Sequence, residues 1–232
     1  MSKHILLIAF LYFGLSPGIC QSSICESGYL PFHNGASFTL TSFNKKGKVT
    51  SVVRHNVLEI SESSDGFRAM VGMQIFDDKE KPLNESKYFI DCRESGLFLD
   101  MSSLLNPESF AALGSMQVDI TGDALLIPNL LTPGQELPDA EMQIKASLSG
   151  MSLLTLTIAV TDRKVIAKER LTTPAGTFAC VKLLQTTTIG GLGNRSYTGA
   201  TWLAPSIGTV RSENYDKKGE LDTYTELTEF TR

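Results

Sequence analysis

An alternation of apolar and polar residues with a period of two constrains this chain most. Met142, Ile144, Ala146 and Leu148 alternate with Gln143, Lys145 and Ser147, and Leu154, Leu156, Ile158 and Val160 alternate with Thr155, Thr157 and Ala159. Side chains repeat their direction every second residue in a strand, so each run presents one apolar face, the pattern of half-buried antiparallel strands. Met116, Val118 and Ile120 repeat it, as do Tyr88, Ile90 and Cys92. No stretch sustains a long 3.6-residue period. The best helix candidate is residues 106–113, where Asn106 can cap, Pro107 suits the first turn and Gly114 ends the run. One or two short helices beside ten or more strands predict an all-β fold. The expected form is an antiparallel curved sheet closing into a β-roll, half-barrel or sandwich.

Turn signals fall between the strands. Asn44-Lys45-Lys46-Gly47 and Asp216-Lys217-Lys218-Gly219 each follow an aromatic, Phe43 or Tyr215, and each carries a Gly able to take positive φ. Two unrelated hairpins using the same turn chemistry, or an internal duplication, would both give this likeness. Asp65-Gly66, Glu94-Ser95-Gly96 and Gly190-Gly191-Leu192-Gly193-Asn194 mark further turns. Residues 126–140 read neither as a strand nor as a tight turn, because Pro128, Pro133 and Pro138 remove ladder donors. With Leu130, Leu131 and Gly134, this segment is the candidate ligand-binding flap. It would be either a lid over an apolar cavity or a plug closing one end of the sheet.

The N-terminus sets the compartment. Lys3 and His4 precede an eleven-residue apolar run, residues 5–15, broken by Ser16-Pro17-Gly18. As a helix that run spans roughly 17 Å, too short for a bilayer core that takes about 20 residues, so residues 1–20 read as a secretory signal peptide. Residues 21–232 then form a single β-rich domain with no membrane span. Cys20 directly follows the run, but Ile19 is bulky where a lipid-attachment signal takes a small residue. Export to the periplasm or cell envelope is the expectation, with secretion and lipid anchoring as alternatives. The full chain of 232 residues carries a formal charge of -4, and removing Lys3 with the leader makes it -5. An acidic chain lacks the electrostatic footprint of a nucleic-acid binder.

In an oxidising compartment Cys25, Cys92 and Cys180 allow one bridge and one free thiol. Cys25–Cys92 is the chosen pair, because it would fix an otherwise untethered N-terminal segment. It closes a loop of about 68 residues, which the chain-entropy argument values at roughly 4 kcal/mol. Cys180, near Phe178, Val181 and Leu183, reads as a buried apolar residue rather than a nucleophile.

Catalytic chemistry is sparse. His33 and His55 lack metal-ligand spacing and read as surface or turn residues. No Gly-x-Ser-x-Gly elbow, phosphate-binding loop, His-Glu-x-x-His helix or Cys-x-x-Cys pair occurs. Asp77-Asp78 reads as a solvated turn neutralised by Lys79 and Lys81, and Asp119 and Asp123 also flank a turn. Asn84-Glu85-Ser86 and Asn194-Arg195-Ser196 fit the N-glycosylation pattern, which matters only in a eukaryotic secretory pathway. No catalytic residue, metal site or cofactor is expected.

Several short words occur in a telling order. They are Cys25-x-x-x-Tyr29-x-Pro31-x-x-x-Gly35, Lys46-Gly47-Lys48, Cys92 followed by Leu99-Asp100-Met101, Thr173-Pro174-Ala175-Gly176-Thr177-Phe178-x-Cys180, and Trp202 with Gly208-Thr209-Val210. From Cys25 to Phe230 the chain thereby resembles the TapB-like family (domain of unknown function 3108-like), exported bacterial proteins of the Bacteroidetes type with unknown function. The resemblance implies a β-rich roll or half-barrel in the cell envelope and no established enzyme activity. Thr209 departs from the more apolar residue expected there. Physically, Thr173, Pro174, Gly176, Phe178, Trp202 and Gly208 read as a structural motif of turns and packing elements. Together these readings predict a non-enzymatic envelope protein that binds an apolar or lipid-like ligand in the concave face of its sheet. The alternative is a structural or protein-interaction module of the periplasm or outer membrane. Oligomeric state is left open.

Overall fold

The computed structural model describes residues 25–101, 117–149, 151–191 and 193–232. The leader at residues 1–20 and the helix candidate at residues 106–113 lie outside them. Thirteen strands follow in chain order: β1 Ser37–Asn44, β2 Val49–Ser63, β3 Gly66–Asp77, β4 Pro82–Arg93, β5 Gly96–Leu99, β6 Gln117–Gly122 and β7 Leu125–Pro128. They continue with β8 Ala140–Leu148, β9 Met151–Thr173, β10 Gly176–Gly190, β11 Arg195–Ala204, β12 Gly208–Tyr215 and β13 Leu221–Thr231. All join one open, curved antiparallel sheet in the order β6-β8-β9-β10-β11-β12-β13-β1-β2-β3-β4-β5-β7. Consecutive hairpins build most of it, while β13 returns beside β1 through Phe38↔Phe230 and Phe43↔Tyr224.

Alternation then sorts the residues. Val57, Val71, Ile90, Val165, Val181, Leu183 and Leu203 share one apolar cluster, so the β2–β4 and β9–β11 arms present the same sheet face to a common interior. Two segments without extended pairing fill the space between the arms. Residues 25–36 insert Tyr29 and Phe32, and residues 129–139 insert Leu131 and Leu137, all buried. The Cys25–Cys92 disulfide pins the first segment to β4 across a sequence separation of 67. Gly28 fits so closely that a Cβ would stand 2.7 Å from Leu97 Cδ1.

Two sequence readings need correction. Residues 126–128, read as unpaired, belong to β7, which pairs with β5 through Leu97↔Ile127; Pro128 stands at the strand's last position, where a missing N–H is tolerated. His55 is no surface or turn residue: it sits within β2, with 9% of its surface exposed. Asp77 and Asp78 open the exposed β3–β4 turn that the sequence indicated, and the Lys48 contact first and the Lys79 charge with it lower the Asp78 carboxyl pKa. The Asp77 carboxylate accepts hydrogen bonds from the backbone N–H groups of Lys79 and Lys81, and Asp78 pairs with Lys48 at 2.9 Å.

Candidate functional site

Residues 129–139, which follow β7, form a seam with the edge of β9. Strand β9 pairs with β8 up to Val160 and then offers the same edge to the loop. Gly134 N–H donates to Val165 O (2.7 Å), Val165 N–H to Gln135 O (2.8 Å) and Leu137 N–H to Arg163 O (2.8 Å). A bulge with Asp162 at φ 53° breaks the alternation there, so Val160 and Arg163, three positions apart, are both buried.

Arg163 is the unexpected residue of this seam. Its side chain is 2% exposed, and among the described residues no carboxylate forms an ion pair with it, the nearest acting charge being Asp139. Nη1 donates to Pro138 O at 2.7 Å and Nη2 to Leu126 O at 2.9 Å, so one guanidinium links the C-terminal end of the loop to β7. Its Nε has no hydrogen-bond partner. Burial pulls the guanidinium pKa down, and the nearby Asp139 charge only partly opposes this. The sequence shows only a charged triplet, Asp162-Arg163-Lys164, within a long extended run. The candidate flap residues divide around this arrangement. Leu131 is fully buried and Leu130 is 68% exposed, while Pro133 and Gly134 lie on the surface. The Tyr29 side chain hydrogen-bonds the Leu131 backbone, tying the loop to the N-terminal insert.

Elsewhere on the interior face His55 stacks on Phe38, centroids 4.4 Å apart, and meets Tyr88 edge-on at 5.8 Å. Tyr88 Oη lies 3.2 Å from Nδ1. Burial depresses the imidazole pKa to about 4, so His55 is neutral at pH 7. His33 stays half-buried near the C-terminus, its Nε2 2.6 Å from Arg232 Nη2. The two histidines share no site, and among the described residues no cluster of His, Cys, Asp and Glu could hold a metal ion.

The opposite sheet face carries a groove of about 450 Å³ across β1–β4, whose lining includes Arg54, Asn56, Leu58, Gln74, Glu85 and Lys87 around Gly72. Farther along this face, Arg211 pairs with Glu213 at 2.7 Å and with Glu226, and its guanidinium lies over Tyr224 at 4.5 Å. Tyr215 donates to Glu213; burial first and this carboxylate second push its pKa up to about 12. These groups satisfy one another and present neither a free nucleophile nor a base poised beside one.

Residues 33–227 match the DUF3108-like family. The chain belongs to that family. Two solved structures are similar to this DUF3108-like chain. One is a candidate exported protein of YmcC-like fold from Bacteroides fragilis, with 25% identity, coverage of 89% of this chain and 100% of that one, and a TM-score of 0.71. The other, a candidate lipoprotein from Parabacteroides distasonis with 24% identity, coverage of 88% and 99% and a TM-score of 0.71, shares the fold. No curated protein matches the sequence.

The words that carried the resemblance occupy packing positions in this DUF3108-like fold. Thr173, Pro174 and Gly176 form the β9–β10 turn. Phe178 and Trp202 pack in a second cluster with Cys180 and Val210, and Trp202 Nε1 donates to Glu169 at 2.5 Å. Gly208, at φ 95°, abuts the N-terminal insert: a Cβ there would stand 3.3 Å from Pro31. Cys180 is buried with its thiol pKa pushed up to about 11 by burial and the Glu169 charge, so it is a poor nucleophile.

Proposed function

We propose that this DUF3108-like chain is an exported, non-catalytic protein of the bacterial cell envelope that accommodates an apolar, lipid-like ligand between the arms of its sheet. The carrying observation is that the apolar interior is filled by two inserted segments, residues 25–36 and 129–139, in addition to the strands. A space filled by loop side chains can be vacated without dismantling the ladder. The description of the Bacteroides fragilis neighbour supports export. On this reading residues 1–20 are a leader, residues 21–232 the mature domain and the TapB-like, Bacteroidetes-type grouping its origin. Lipid extraction of protein purified from native cells, followed by mass spectrometry, tests the carrier role. A stoichiometric acyl species is expected, and repeated recovery of lipid-free protein would refute it. A structural or interaction module is the second reading, favoured by the mixed-charge groove over Gly72. In-cell crosslinking from that groove would then return one reproducible partner.

A further inference from the structure

The Arg163 guanidinium is expensive where it stands. A buried cation normally has a carboxylate partner, and this one has two backbone carbonyls and an unpartnered Nε. The backbone bonds across the seam are concentrated on Arg163, Lys164 and Val165, and the loop's apolar anchors are Leu131 and Leu137. Lifting the loop would expose the apolar space of these two leucines and release Nη1 from Pro138 O beside the unpartnered Nε, while Nη2 keeps its bond to Leu126 O of β7.

We infer that the seam is a ligand gate, and that the ligand is a single-chain amphiphile with an anionic head that pairs with Arg163 while its tail replaces Leu131 and Leu137. This rests on the carrier reading above and names its ligand class. The head follows from the chemistry of the fork: a carboxylate can take two parallel N–H bonds, supplying the directly bonded anion that Arg163 does not have among the described residues, where Asp139 acts only as a nearby charge. The tail follows from volume, since two leucine side chains amount to about eight carbon atoms in a close-packed interior, the scale of one acyl chain. Glu136, Asp139 and Asp162, all largely exposed, share a groove with Leu137, Arg163 and Lys164. They would repel an anion approaching along that groove, and on this proposal the head enters with its tail through the space that Leu131 and Leu137 vacate.

The test compares binding of decanoate and decan-1-ol to the oxidised mature protein by calorimetry at pH 7.5. Decanoate is expected to bind at least about tenfold more tightly, about 1.4 kcal/mol, and Arg163→Gln to bring the two probes to equal affinity. If both bind the native protein equally, the carrier reading stands and the Arg163 inference falls. If neither binds, both fall. Should Arg163→Gln fail to fold, hydrogen exchange of the unaltered protein decides: saturating decanoate, and not decan-1-ol, is expected to speed exchange at the amides of Gly134, Leu137 and Val165. Unchanged exchange there with decanoate bound would overturn the gate.

Discussion

Asn44, Asp77 and Asp216 each perform the same task. Each uses Oδ1 to accept from the backbone N–H groups two and four residues on, at 2.8 to 3.1 Å, and so closes the β1–β2, β3–β4 and β12–β13 hairpins. Gly47 and Gly219 take φ 75° and 77° in two of these loops, whereas the third places Glu80 at φ 59°. A left-handed non-glycine residue carries strain, so Glu80→Gly is expected to stabilise the protein by about 0.5–1 kcal/mol in urea denaturation; a lower midpoint would contradict it. The third copy also favours shared turn chemistry over internal duplication, because Asp77-Asp78 carries no glycine and hides the likeness. His55 was legible by a different route. Val53, His55 and Val57 share one parity, and following the alternation through the histidine would have placed it on the apolar face. Its folded pKa of about 4 lies below the ordinary 6.5. The unfolded chain therefore takes up the proton first, and stability is full above pH 6.5 and lost as pH falls towards 4. The loss amounts to about 3 kcal/mol. Urea midpoints across this window should fall in the native protein and lose this slope in His55→Gln.

Strand β9 shows what a single period can conceal. Its first half was readable because β8 covers one edge and the alternation is unbroken. Its second half, residues 161–173, crosses the Asp162 bulge and changes partner to a loop, so the charged run there resembles solvent-facing sequence. The loop had the opposite difficulty. Leu130 and Leu131 are chemically identical neighbours, yet one is 68% exposed and the other fully buried with its backbone bonded by Tyr29, a tertiary contact that no local pattern announces. That difference is measurable. Leu131→Ala removes fully buried carbon and is expected to cost about 2–5 kcal/mol, whereas Leu130→Ala should change stability by less than about 0.5 kcal/mol. Equal effects in chemical denaturation would mean that the loop does not seat as described.

At the scale of the molecule, the sheet supplies walls and the two inserts supply much of the filling, so the N-terminal insert is held more by covalent and turn contacts than by a ladder. Ser206 N–H donates to Gly28 O at 2.7 Å and Ser206 Oγ to Glu26 O at 2.6 Å, which anchors the insert to the β11–β12 turn. The Cys25–Cys92 bridge anchors its other side to β4. The pairing could be argued from the sequence because one cysteine lay on a segment with no other tether; what the segment fills could not, since no periodicity marks Tyr29 and Phe32 as interior. Cys180 does not compete for the bridge, because its thiol is buried and remains protonated at neutral pH. Replacing both bridge cysteines by Ser should therefore act through the insert alone. By the chain-entropy argument the loss is about 4 kcal/mol, and it should appear as a lower denaturation midpoint together with proteolytic cleavage confined to residues 25–36. A variant that keeps the native midpoint would show that Ser206 and the apolar contacts suffice to seat the insert. Cleavage spread through β2–β4 would instead show that the bridge supports the whole arm of the sheet.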